Sequence, residues 1–302
     1  MENWYNDLKN CKVCPRNCGI DRTKGEKGFC NSGFSVKCAL AYIHKWEEPV
    51  ISGSRGSGTV FFSGCNLKCV FCQNYDISSL NNGKEITVER LSDIFIEQQQ
   101  RNVHNINLVS PTHFLPQIRE AIKIAKNKGL NIPIIYNSNG YESVEMLKTL
   151  EGLIDVYLPD LKYFSTEYSK EYSKASDYFE KAIKAIKEMK RQQPINIFDN
   201  ENIIQKGVII RHLVLPNCKE DSFKVLDSIC ENIGKDTYVS IMRQYTPMYK
   251  AKEIKKLNRK LTTFEYDKVI DHFLKIGMTN GFSQEKMSAS SEYTPKFDLT
   301  GI

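Results

Sequence analysis

From about residue 59 the chain alternates short apolar, β-rich runs with segments whose apolar residues recur every three to four positions. Six runs read as strands: 59–63, 105–110, 132–136, 154–158, 207–215 and 238–242. Between them, Val88, Leu91 and Phe95 share one helical face, as do Leu115, Ile118, Ile122 and Ala125. Ala182, Ile186 and Met189 repeat the period, and so do Tyr266, Val269, Ile270 and Phe273. Strands alternating with helices imply βαβ units and a parallel sheet. Roughly 215 residues for six units leave about 36 each, enough for a βα unit, whereas a closed eight-unit barrel takes about 250. The pattern therefore predicts a partial TIM-type (βα)6 barrel over 59–280. A cysteine-rich extension occupies 1–58, and a tail over 281–302 packs on the barrel. Residues 192–205 read as a loop, 53–58 as a turn, and the basic stretch 250–260 as a solvated surface segment.

The predicted strand ends carry polar groups: Gly64-Cys65, Ser110-Pro111-Thr112-His113, Asn137-Ser138-Asn139-Gly140, Pro159-Asp160-Leu161-Lys162, Arg211-His212 and Arg243-Gln244-Tyr245. In a parallel α/β barrel these ends share one face, the face where ligands bind. Arg211 lies inside an otherwise apolar strand, so it needs a carboxylate partner; Asp160 is one candidate. Glu47 and Glu48 read as a solvated face or as partners of Arg55. His44, His113 and His212 are each expected to be hydrogen-bonded structural residues more often than proton donors.

Composition narrows the class. The 302 residues are 41% hydrophobic and 26% charged, with 42 Lys+Arg against 36 Asp+Glu and a net charge of +6. This is the balance of a globular chain, and the basic excess is too mild and too scattered to predict a nucleic-acid partner. No run approaches the roughly 18–20 apolar residues of a membrane span, and the first residues lack an apolar signal core. A cytoplasmic, reducing location is expected, where cysteines serve as metal ligands or catalytic groups rather than disulfides.

The chain has ten cysteines, and eight fall in its first 72 residues. Cys65, Cys69 and Cys72 form a CxxxCxxC trio in the loop after the first barrel strand. Structural zinc sites and four-iron clusters normally take four protein ligands. Three without a neighbouring fourth point to a cubane with one iron open to substrate or cofactor. Cys11, Cys14, Cys18 and Cys30 supply four further thiols for a second metal, and spacing alone leaves zinc and iron–sulfur both open. Cys38 could replace one of these ligands. Cys230 reads as core, and Cys218 carries no assignment.

Cys65-x3-Cys69-x-Phe71-Cys72 resembles the signature of the radical S-adenosylmethionine (SAM) enzymes. The resemblance extends to the PflX-like branch of pyruvate formate-lyase activating enzyme homologues. It is carried by Trp46–Pro49, Ile51–Gly53, Gly56–Gly58, Gly64–Asn74, Ser110–His113, Tyr141, Tyr157–Lys162, Arg211–Pro216 and Gln244–Pro247. It implies a site-differentiated [4Fe–4S] cluster on Cys65, Cys69 and Cys72 whose unique iron binds SAM. An electron from the cluster then cleaves SAM to a 5′-deoxyadenosyl radical that abstracts hydrogen. The resemblance further implies SAM contacts from Phe71, Asn74, Ser110, Thr112, Asn137, Asn139, Asp160, Lys162 and Arg211. Ser110–His113 stands where many members have a Gly-Gly-Glu-like segment. An electron donor such as flavodoxin or ferredoxin, and a protein substrate bearing a glycine, are implied as partners. Modification of a small molecule, peptide or tRNA is the alternative chemistry, and a non-enzymatic metal-binding scaffold the alternative class. Storing metal would not require polar groups at every strand end.

Overall fold

The computed structural model describes residues 4–284 and 294–302, so part of the predicted tail lies outside the described residues. The strands are β1 (Val36–His44), β2 (Ser57–Phe62), β3 (Lys84–Ile86), β4 (Ile106–Val109), β5 (Ile134–Ser138), β6 (Val156–Pro159), β7 (Ile197–Phe198), β8 (Ile204–Leu213), β9 (Tyr238–Met242) and β10 (Gly281–Ser283). The helices are α1 (Asn6–Lys9), α2 (Pro49–Ser52), α3 (Tyr75–Ser78), α4 (Val88–Gln100), α5 (Leu115–Asn127), α6 (Val144–Lys148), α7 (Thr166–Ser173), α8 (Tyr178–Gln192), α9 (Lys219–Asn232) and α10 (Thr263–Lys275). All six expected strands are present as β2, β4, β5, β6, β8 and β9. They pair in parallel in that order, with β10 as a short seventh beside β9.

Each predicted apolar helical face packs on the core, with Ile270 of α10 half-buried. Val88, Leu91 and Phe95 of α4 and Leu115, Ile118, Ile122 and Ala125 of α5 are in the main core. Helix starts follow local chemistry. The Thr87 hydroxyl accepts the Arg90 N–H, and Thr262 and Glu265 form a reciprocal capping box at α10.

Three elements depart from the expected pattern. β1 lies inside the 1–58 segment and pairs antiparallel with β2, so a strand joins the cysteine-rich extension to the barrel. Cys38 sits in β1 with no exposed surface, and burial pushes its thiol far up. It is sheet core, which corrects its reading as a substitute ligand. Residues 192–205 hold β7, which forms a hairpin with β8 rather than a plain loop. The 250–260 stretch buries Ala251 and Leu257, and the Ala251 N–H donates to the Val70 carbonyl at 2.8 Å. It packs on the cysteine loop and is solvated only in part.

Successive residues of a strand point to opposite faces, and the two faces here have different partners. Ile134, Tyr136, Tyr157, Val208 and Ile210 meet the helices. Ile135, Val156, Leu158, Ile204 and Ile209 meet Val50 and Ile51 of α2. The short α2 thus packs on the inner face of the partial barrel, where each fully buried aliphatic side chain contributes about 1.5–3 kcal/mol. Gly53 (φ +46) and Gly56 (φ +84) return the chain from this plug into β2. At the other edge, the Ala41 N–H donates to the Thr300 carbonyl and the Leu299 N–H to the Ala39 carbonyl, so the described end of the tail lies along β1.

Candidate active site

β2 ends at Phe62, and Gly64 (φ +85) turns the chain into the cysteine loop. A Cβ at Gly64 would stand 2.7 Å from both the Cys30 carbonyl and the Ser32 hydroxyl, so this turn requires glycine. Leu67, Val70 and Phe71 point into the core and fix the loop. The Val70 N–H donates to the Tyr172 carbonyl at 2.8 Å, and Phe71 meets Tyr245 edge-on at 6.0 Å. The intervening cysteines stay half-buried.

Each thiol of the trio has a polar neighbour from a different element. Cys65 Sγ accepts from the Leu67 N–H at 3.4 Å and the Asn139 amide at 3.5 Å. Cys69 Sγ lies 3.0 Å from the Ser173 hydroxyl at the end of α7, and Cys72 Sγ lies 3.2 Å from Ser78 of α3. Burial, then repulsion from Cys69, pushes Cys65 up to about 12 and Cys72 to about 11. Burial also raises Cys69, opposed by Lys162 and the Ser173 hydroxyl.

These features fit an iron–sulfur cluster. Three crowded thiols that resist ionisation together become a stable thiolate set only around a strong cationic centre. Among the described residues no three Cys, His, Asp or Glu side chains are grouped to hold one metal ion. A multi-iron cluster takes its ligands at separate corners, so it does not need that convergence.

The other sequence-predicted contacts are distributed around the strand ends. Asp160 and Lys162, at the end of β6, form a half-buried ion pair. Burial opposes the Lys162 ammonium, but Asp160 and the neighbouring Cys69 hold its pKa above the ordinary lysine value. The Tyr178 hydroxyl joins two strand ends. It lies 2.8 Å from the Asn139 carbonyl and 3.0 Å from the Asp160 carbonyl, and accepts the Lys162 N–H at 3.0 Å. Asn139 donates to Asn66 at 2.7 Å, tying the end of β5 to the cysteine loop. The Asn74 carbonyl accepts the first N–H groups of α3, and Ser110 takes φ +59 just beyond β4. The Thr112 hydroxyl donates to Glu142 at 2.5 Å.

Arg211 finds its carboxylates in Glu47 and Glu48, which correct both the solvated-face reading of those residues and Asp160 as its partner. Arg211 also reaches Asn137 Oδ1 at 3.4 Å, whereas Arg55 hydrogen-bonds His104 at 2.9 Å. Burial opposes the Glu48 carboxylate, but the Arg211 guanidinium holds its pKa below the usual range.

His113 Nε2 donates to the Ser63 carbonyl at 2.8 Å, and burial lowers its pKa to about 3. His212 Nδ1 donates to the Leu161 carbonyl at 2.7 Å and leaves Nε2 to accept from the Ser222 hydroxyl at 2.8 Å. Burial lowers His212 to about 4. Both are neutral structural imidazoles. An unfolded histidine titrates near 6.5, so the unfolded chain alone takes up this proton between pH 6.5 and 4. The contribution of neutral His212 is present above pH 6.5 and is lost as pH falls toward 4. Denaturant titrations of wild type across that window are expected to show a pH slope steeper than His212→Asn by up to about 1.4 kcal/mol per pH unit. Equal slopes would contradict this reading of His212.

Several supporting residues were not apparent in the sequence. Ser173, Ser78 and Tyr178 carry no local signature, since their roles arise from contacts between elements. Glu142 is buried beneath Thr112, and burial pushes its carboxyl up to about 7 despite hydrogen bonds from Thr112, Ser138 and Tyr136. Its position after Tyr141, within a motif already singled out, was the available signal. Gly140 (φ +79) is another supporting position, because a Cβ there would run into the Asp160 carbonyl. Gly140→Ala is expected to lose about 2–4 kcal/mol of stability, from left-handed strain and displaced backbone, read as a lowered thermal midpoint. An unchanged midpoint would show that this close approach is not a constraint.

Cys11, Cys14, Cys18 and Cys30 line one small cavity in the extension, with His113 at its wall. Among the described residues, no helix is long and apolar enough to cross a membrane.

Comparisons with known proteins agree with this geometry. The family model described as Radical SAM superfamily matches residues 59–224. An uncharacterized protein of Methanocaldococcus jannaschii is 36% identical over 279 residues, covering 88% of this chain and 75% of its own. The pyruvate formate-lyase-activating enzyme of Clostridium pasteurianum is 26% identical over 239 residues, covering 75% of this chain and 91% of its own. Among solved structures, Streptococcus suis SuiB bound to precursor peptide SuiA superposes with a TM-score of 0.50 at 17% identity. That match covers 73% of this chain but only 46% of SuiB, and it supports the fold alone.

Proposed function

The chain belongs to the radical SAM superfamily, whose enzymes use a [4Fe–4S] cluster and SAM, and from that premise we propose a glycyl-radical activase-like role for it. The carrying observation is the trio of half-buried thiols at the end of β2, beside the Asp160–Lys162 pair. Similarity to the activating enzyme of Clostridium pasteurianum supports the activase class.

Cys65, Cys69 and Cys72 would hold the cluster. When bound, cluster and SAM supply the reducing electron and the 5′-deoxyadenosyl group that takes hydrogen from a substrate. The chain's own residues bind, orient and exclude water. Asp160 and Lys162 satisfy one another in the free protein; a methionyl group carrying ammonium and carboxylate offers each an opposite charge. Asn137 and Asn139 supply amide groups at the neighbouring strand end, and Ser110 a hydroxyl. Phe71, buried in the core against Tyr245, would pack behind an adenine rather than present an open face to it. The buried plug of α2 closes the inner face away from the strand ends and limits water entry from that side. Arg211 positions Asn137 while its charge is neutralised by Glu47 and Glu48. A low-potential donor of the flavodoxin or ferredoxin kind would supply the electron.

The activase reading is tested by incubating reconstituted protein, SAM and reductant with a glycyl-radical enzyme whose reactive glycine carries deuterium at Cα. Deuterium in 5′-deoxyadenosine, together with a glycyl radical signal, is expected. Efficient SAM cleavage with no deuterium transfer to any such protein, but transfer from a small molecule, would replace this reading with small-molecule modification.

A further inference from the structure

Four of the five cysteines of the extension gather around one cavity that the cluster chemistry does not use. Cys11, Cys14, Cys18 and Cys30 all line it, and none is in a disulfide. The backbone brings them there. The Cys11 N–H donates to the Ile20 carbonyl at 2.9 Å, and the Gly19 N–H returns to the Cys11 carbonyl at 3.1 Å. Asn17 (φ +44) and Gly19 (φ +66) make the reversal that places Cys18 back near Cys11. The arm leading to Cys30 then crosses so closely that a Cβ on Gly28 would stand 2.7 Å from Cys18 Sγ.

The wall carries a positive group, Arg16, whose guanidinium carbon lies 3.8 Å from the Phe29 ring centroid. Arg16 donates through Nε to the Asn66 carbonyl of the cysteine loop at 2.9 Å, while its Nη2 is buried with no hydrogen-bond partner. Arg22, also at the wall, donates to the Gly33 carbonyl at 2.9 Å and the His113 carbonyl at 2.6 Å. Four thiolates around a divalent ion carry a net charge of minus two, which a neighbouring guanidinium stabilises. The free space admits about one water-sized sphere, so a single ion is reached by inward shifts of the thiols, whereas a four-iron cube would require the walls to part.

We propose that this cavity is a four-thiolate site for one divalent, redox-inert, thiophilic ion of zinc's class. Bound there, the ion clamps the extension onto the loop that carries Cys65. As they stand the thiols line the wall without forming a ligand set for one point, so binding draws them inward. Four S–H bonds give up their protons to solvent, four metal–sulfur bonds form, and no electron is transferred. The clamp follows from contacts already described: the Cys30 carbonyl packs on Gly64, and Arg16 holds Asn66.

The full chain, purified anaerobically, tests this with Zn²⁺ and Co²⁺ as probes. Wild type and the triple variant Cys65→Ala/Cys69→Ala/Cys72→Ala are both expected to retain about one zinc per chain through dialysis. Because the triple variant lacks the cluster ligands, its result is independent of any radical chemistry. Cobalt replacing zinc in wild type is expected to give thiolate charge-transfer absorption and a tetrahedral ligand-field spectrum. Cys14→Ser and Cys30→Ser are expected to lose the ion. Should they also unfold, protection of four cysteines from alkylation in the folded wild type, relieved by a chelator, reads the same ligation. Absence of bound zinc in wild type, zinc retained by a folded Cys14→Ser/Cys30→Ser chain, or iron with acid-labile sulfide in the triple variant would each overturn the proposal.

Discussion

A Cys69→Ala chain reconstituted anaerobically with iron and sulfide is expected to keep its fold, lose about four irons, and form 5′-deoxyadenosine about a thousandfold more slowly or not at all. The size of the effect follows from the ligand count. A cube held by three thiolates has one open iron; removing a second anchor leaves the cluster poorly held and the reducing path broken. Cys69 is the severest position of the three, because it faces both Ser173 and Lys162. Its loss removes a cluster ligand and the negative neighbour that favours the Lys162 ammonium. Cys230→Ala is the control, since Cys230 packs against the core on α9 and lies outside the site. Its iron content and SAM cleavage are expected to match wild type.

The second large effect lies below the strand ends. Arg211→Met is expected to lower stability by about 3–5 kcal/mol, because it strands Glu47 and Glu48 as two adjacent buried carboxylates. For a chain of this size, that corresponds to a fall in thermal midpoint of about 5–8 °C. Adding Glu47→Gln and Glu48→Gln to Arg211→Met is expected to recover much of the loss, since the remaining groups are neutral. The Glu48 carboxyl is held below its unfolded pKa, so its contribution is present above that value and is lost as pH falls through the folded one. Chemical denaturation of the two variants checks both points. A triple variant less stable than Arg211→Met would show that packing, not charge, dominates this cluster.

Why some features were legible in the sequence, and others not, follows from their range. The strand at 238–242 agrees with the prediction at both ends, because a β-branched, apolar run is bounded by polar turns. The helical faces of α4, α5, α8 and α10 were equally plain, since amphipathic periodicity is a local property. The cysteine trio was legible because all three ligands sit within eight residues of one loop.

β1 was missed although Val36–His44 is mostly apolar. Its Lys37 and two alanines weaken the β signal, and antiparallel pairing with β2 decides its state. The need of Arg211 for a carboxylate was readable from its apolar strand, but the identity of that partner was not. Glu47 and Glu48 stand more than 160 residues earlier and reach it only because α2 inserts into the inner face. Ser173 reaches Cys69 from α7, a polar helix with little apolar period of its own. Pairings of this kind arise from the closed fold, not from spacing along the chain.

The most direct measurement is the formation of 5′-deoxyadenosine when the anaerobically reconstituted full chain meets SAM and a strong reductant. Reductant-dependent 5′-deoxyadenosine and methionine are expected in equal amounts, from protein whose trio holds about four irons. A well-folded chain that holds those irons and yet releases no 5′-deoxyadenosine would contradict this expectation.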